Sequence, residues 1–73
     1  MKYISQHEYL KRLGKKIKDL RLEKGFSQSE LCYEAEIDIS TLSRLERGIL
    51  NVSFSTLYKI GRILDVEIIE FFS

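Results

Sequence analysis

An all-α fold, one compact domain of five short helices over residues 1–73, is what this sequence predicts, and three observations predict it. Apolar residues recur at spacings of three and four, as in Leu10, Leu13, Ile17 and Leu20. No stretch alternates with the period of two that a half-buried strand requires. Four times over, an apolar residue precedes a capping residue, and a second apolar residue follows the cap by one turn. The sets are Ile4-Ser5-Tyr9, Phe26-Ser27-Leu31, Ile37-Asp38-Leu42 and Val52-Ser53-Leu57, each a cap with its hydrophobic staple. Finally, the chain has no Pro, no Trp and only four Gly, too few turn formers for a many-stranded fold.

In chain order, residues 1–5 read as a short arm. The first helix is expected from about Gln6 to Lys24, opened by a Ser5–Glu8 capping box and stopped by Gly25. Gly14 inside it reads as a weak point, costing roughly 1 kcal/mol against Ala. The organising stretch follows, Ser27 to Gly48. Ser27 and Glu30 form a capping box, and Leu31, Cys32 and Ala35 one apolar stripe. The chain breaks at Glu36-Ile37, where Glu36 is expected at positive φ. Asp38 caps the next helix, Leu42 and Leu45 face inward, and Gly48 stops it. Beyond the connection Ile49–Val52, Ser53 caps a fourth helix, with Ser55 as a competing cap. Phe54, Leu57, Ile60 and Leu64 are expected inward there, with Gly61 allowing close approach. Asp65-Val66 interrupts the pattern, and Glu67–Phe72 is expected as a short fifth helix.

On a wheel of about 100° per residue, Leu42 and Leu45 define the inner side of the third helix. Its outer side carries Ser40, Ser43, Arg44 and Arg47, with Ile39 at the edge. Serine hydroxyls bond base edges or phosphates, arginine takes guanine in a bidentate fashion, and an apolar side chain meets a thymine methyl. Two helices joined by a tight turn, the second presenting such a face, make a helix-turn-helix at 27–48.

The run Phe26-Ser27-Gln28, then Glu30-Leu31, Ser43 and Leu45-Glu46-Arg47-Gly48 resembles the phage-repressor and Cro-like (XRE-type) helix-turn-helix family. The likeness extends from about Leu13 to Phe72. That family usually opens the first motif helix with Gln, continues with a Leu-Ala pair and ends Ser-x-x-Glu-x-Gly. This chain has Cys32 in place of the Ala, Glu36 where the turn often has Gly, Ile39 at a commonly polar position and Val52 where Pro is common. The resemblance implies a lambda-repressor-like DNA-binding fold. Compact length and an apolar C-terminal helix are also similar to small repressors, Cro-like switches and restriction-modification controller proteins. Arg21 and Glu46 each flank an apolar stripe on their helices, where they either pair or stand as unrelated surface charges; the resemblance implies a structural ion pair. Desolvation opposes the attraction of such a pair when it is buried.

Net charge is only +1, but it is unevenly spread. Met1–Gly25 holds eight Lys and Arg against three Asp and Glu, a net +5; the remainder holds four against eight, a net −4. A basic face is therefore possible on a nearly neutral chain, although Lys11, Arg12, Lys15, Lys16 and Lys18 fit a solvated helix surface equally well. The single Cys cannot form an internal disulfide and reads as a buried, reduced thiol. His7 is the lone histidine and reads as a surface residue, so no metal site is expected. No Ser/His/Asp set, carboxylate pair or phosphate-cradling Gly loop points to an enzyme. Tyr33 and Tyr58 read as surface or interface residues. No cofactor, membrane span or signal peptide is expected, and the cytoplasm is the expected compartment.

The leading expectation is a sequence-specific transcriptional regulator of double-stranded DNA. Ile39, Ser40, Ser43 and Arg44 would meet bases. Gln28, Arg47, Asn51 and Ser53 would meet phosphates, Gln28 from the positive end of its helix. The C-terminal stretch 63–72 is too apolar for so small a core to absorb. Ile63, Ile68, Ile69 and Phe72 are expected either at a homodimer interface or folded inward by the last helix. A homodimer would read two half-sites. The length leaves no room for an effector-binding domain, so no small-molecule effector is expected. The rival reading is a protein-interaction module, or an antitoxin-type partner, that keeps the fold with weak or no DNA binding of its own.

Overall fold

The computed structural model describes residues 5–72. Met1–Ile4 of the expected arm, and the staple of Ile4 on Tyr9, fall outside the described residues. Four α-helices form: α1, Gln6–Glu23; α2, Gln28–Ala35; α3, Ile39–Glu46; and α4, Phe54–Leu64. The expected fifth helix is corrected. Ile68–Phe72 winds as a 3-10 helix, with Glu70 N donating to Glu67 O at 2.9 Å. The left-handed residue Asp65 separates this single tight stretch from α4, and 3-10 winding is common in such short pieces.

The helix starts follow local chemistry. The Ser5, Ser27 and Ser53 hydroxyls accept from Glu8 N, Glu30 N and Thr56 N at 3.2, 3.0 and 3.2 Å. At Ser27 the return bond also forms, Ser27 N to Glu30 Oε1 at 2.8 Å, and it holds the Glu30 carboxyl below its ordinary range. Asp38 occupies the cap position of α3 in extended backbone, but its side chain makes no cap hydrogen bond. Its expected capping role is corrected to a conformational one.

All four α-helices end alike. Gly25, Glu36, Gly48 and Asp65 take positive φ, and the next residue bonds back five positions. Phe26 N reaches Arg21 O, Ile37 N reaches Cys32 O, Ile49 N reaches Arg44 O and Val66 N reaches Gly61 O, at 2.9–3.1 Å. This is the Schellman closure, which satisfies carbonyls the helix end leaves open. Phe26 and Ile37 thus each close one helix immediately before the residue that opens the next. Glu36 sits at φ 56°, ψ 47°, where a Cβ costs roughly 1–2 kcal/mol. Glu36→Gly should therefore leave stability unchanged or raise it in urea denaturation. A loss beyond about 1 kcal/mol, typical of misplaced glycine, would contradict this account of the turn.

The core is drawn from every element: Leu13, Ile17 and Leu20 of α1, Leu31, Cys32 and Ala35 of α2, Leu42 and Leu45 of α3, Leu57, Ile60 and Leu64 of α4, and Phe71. Phe54 is not part of it. Expected inward, it is 68% exposed, because it lies in the first turn of α4, about 60° off the line of Leu57 and Leu64 on the wheel. Gly14 also reads differently in three dimensions. A Cβ there would lie 2.7 Å from the Glu46 carbonyl oxygen and closer still to that of Leu45. Gly14 is the crossing point of α1 over the end of α3 rather than a weak point in a helix.

Candidate nucleic-acid interface

The sequence of α3 divides the helix into two faces. Leu42, Leu45 and Glu46 are buried, whereas Ile39, Ser40, Arg44 and Arg47 are exposed and Ser43 is half-buried. Ile39, Ser40, Ser43 and Arg44 therefore share one accessible side. Thr41, half-buried beside them, belongs to neither set on sequence grounds. Arg47 lies back along the helix, its Nε donating to Ser43 O at 3.4 Å, which leaves the rest of its guanidinium fork outward.

Three side chains and one carbonyl meet behind this face. Arg21 Nε donates to Glu46 Oε2 at 2.7 Å and Arg21 Nη2 to Glu46 Oε1 at 3.1 Å. Arg21 Nη1 donates to Phe26 O at 2.8 Å. Arg21 is 5% and Glu46 8% exposed, so the fork-to-carboxylate geometry is needed to offset their desolvation. Gln28 Nε2 donates to Glu46 Oε1 at 3.0 Å. That bond was not legible in the sequence, since Gln28 and Glu46 lie on different helices. It uses one amide hydrogen and leaves the second for another acceptor. Through Glu46, α3 is tied to the end of α1 and the start of α2.

The other sites proposed for phosphate lie in the α3–α4 connection. Asn51 is exposed, and its Oδ1 accepts from Val52 N at 2.9 Å. The Ser53 hydroxyl, already the α4 cap, also pairs with Thr56 Oγ1 at 3.1 Å. Cys32 is buried. Burial, helped by the negative charges of Glu46 and Asp38, pushes its thiol up, which makes it a poor nucleophile. Toward the C-terminus of the chain Ile69 and Phe72 are 71% and 57% exposed, Phe72 sharing a groove with Asn51, while Ile63 and Ile68 lie half-buried against the core. Among the described residues no group of His, Cys, Asp and Glu could hold a metal ion, and no helix is long and apolar enough to cross a membrane.

Two helices with a three-residue turn, the second packed by one face and open on the other, define a helix-turn-helix protein. The chain belongs to the helix-turn-helix family, whose profile matches residues 17–71. It is 42% identical over 57 residues to the HTH-type transcriptional regulator SinR of Bacillus subtilis, a match covering 77% of this chain and 51% of SinR. The chain thus spans about half the length of that relative. Among solved structures it is similar to the restriction-modification controller protein C.AhdI of Aeromonas hydrophila, with a TM-score of 0.82 and 35% identity over 85% of this chain and 94% of that one. It is likewise similar to SinR in complex with DNA, with a TM-score of 0.79 and 39% identity over 84% and 98% of the two chains. The family and these relatives are regulators rather than enzymes.

Proposed function

We propose that this domain is a sequence-specific transcriptional regulator that binds double-stranded DNA as a homodimer, with α3 in the major groove. The observation that carries the reading is α3 itself: its buried side is fixed on the core while Ser40, Arg44 and Arg47 stand exposed. The likeness to SinR, whose structure in complex with DNA superposes on this fold, supports it. Ile39, Ser40, Ser43 and Arg44 address base edges. Gln28, through its remaining amide hydrogen, and Arg47, Asn51 and Ser53 address phosphates.

Those roles separate by experiment. Arg44→Ala should cost on the order of 1–3 kcal/mol on the preferred site and much less on mixed-sequence DNA. Arg47→Ala should weaken all sequences evenly and flatten the salt dependence. If titrations across a salt series give the two variants the same profile, the division into base and phosphate contacts is wrong. A parent that binds no duplex at low salt favours the protein-interaction reading.

Residues 63–72 provide the self-association surface in this proposal. Ile69 and Phe72 are its exposed centre and Ile63 and Ile68 its half-buried margin. Two-fold pairing would bury the patch twice and set two α3 helices about 34 Å apart, one DNA turn. Ile69→Glu should give a monomer in sedimentation equilibrium, keep its helical circular dichroism, and lose operator binding far more than nonspecific binding. A variant that stays dimeric removes Ile69 from the interface. A parent that is monomeric at high micromolar concentration removes the dimer.

A further inference from the structure

The connection after α3 has a neighbour that the helix-turn-helix itself does not include. Gly48 is buried, and a Cβ on it would lie 2.7 Å from Lys11 Cα and 3.0 Å from Lys11 N and Cγ. The absence of a side chain at Gly48 thus lets α1 run directly against the C-terminus of α3. Asn51 shares a groove with Gln6 and Leu10 of the same stretch of α1. The backbone of Lys11 is therefore held against Gly48, which in the chain lies between Arg47 and Asn51, and the Lys11 side chain is exposed. Among the described residues the only α1 lysine in an ion pair is Lys15, bonded to Asp19 at 2.8 Å.

Lys18 shares the Lys11 side of α1 but stands about 10 Å further along the axis, whereas Arg12 and Lys16 serve a different side. At about 100° per residue, Arg12 and Lys16 are turned roughly 100° and 140° from Lys11. Both line the groove against Phe71 and Phe72. Only Lys11 combines a free ammonium with a backbone locked to the Arg47–Asn51 corner. A flexible point charge in such a place recognises phosphate without reading bases.

We propose that α1 makes a DNA-backbone contact of its own: the Lys11 ammonium takes a phosphate beside those reached by Arg47 and Asn51. The inference rests on the DNA-binding reading and extends the interface beyond the motif onto α1. Lys11→Gln tests it, because glutamine keeps the Cγ that packs on Gly48 and removes only the charge. Binding to a mixed-sequence duplex is titrated from low to moderate salt for the parent, Lys11→Gln, Lys11→Arg and Lys16→Gln. One lost phosphate contact makes the slope of log K against log salt shallower by about 0.9. Lys11→Gln should show that change on every sequence, Lys11→Arg should restore the parent slope, and Lys16→Gln should keep it. The parent slope in Lys11→Gln would overturn the proposal. So would an equal change in Lys16→Gln, which would mark a general charge effect. If the parent itself binds no duplex, the DNA-binding reading fails and this contact falls with it, a result distinct from either of the others.

Discussion

Glu46→Ala should destabilise the domain by about 3–5 kcal/mol, the usual cost of leaving one charge of a buried pair alone. The Arg21 guanidinium would keep only its bond to Phe26 O, and Gln28 would lose the acceptor for its amide. Against the ~5–15 kcal/mol that stabilises an ordinary domain, a loss of that size brings so small a protein near its unfolding midpoint. Urea denaturation followed by circular dichroism measures it. The double substitution Arg21→Met with Glu46→Leu should recover most of the loss, because no buried charge then lacks a partner and the volume is refilled. Recovered stability should not bring back full DNA affinity, since Gln28 would still lack the bond that orients it. A Glu46→Ala protein within about 1 kcal/mol of the parent, the scale of a surface pair, would mean that the pair is solvated in solution.

Gly14→Ala should also destabilise, by about 1–3 kcal/mol as an overpacking substitution, although alanine is the better helix former by roughly 1 kcal/mol. The new methyl would meet backbone carbonyls at the end of α3, and those cannot rotate away as a side chain would. α1 and α3 would have to separate, carrying Arg44 and Arg47 with them. Weaker DNA binding should therefore accompany the lower urea midpoint. A stabilised Gly14→Ala protein would show that the crossing is looser than described.

What was legible in the sequence was local. The helix starts followed from caps and staples within a few residues, and the left-handed stop at Glu36 from the break in the apolar pattern beside it. The exposed side of α3 followed from Leu42 and Leu45 alone. What escaped depends on which element lies opposite. Gly14 looks like a defect until the carbonyls of α3 are placed over it, and Gly48 looks like a simple stop until Lys11 is placed against it. The bond from Gln28 to Glu46 joins residues with no shared local pattern. Phe54 has the right spacing to be core but stands in the first turn of α4, at the edge of its stripe. Asp38 has the right chemistry for a cap and the right backbone, yet its carboxylate makes no cap bond. The C-terminal segment has the apolar content of a helix, but after the left-handed Asp65 it winds as a 3-10 helix.

The central claim is that α3 reads DNA in pairs of half-sites. Selection of bound duplexes from a randomised pool tests it most directly, because binding, sequence preference and half-site spacing come from one experiment. The account predicts enrichment of a two-fold symmetric sequence whose half-sites are centred about one helical turn apart, or a small multiple of it. It also predicts that Arg44→Ala relaxes the enriched positions. A pool that stays random after repeated rounds at low salt, with protein that is folded by circular dichroism, would contradict it.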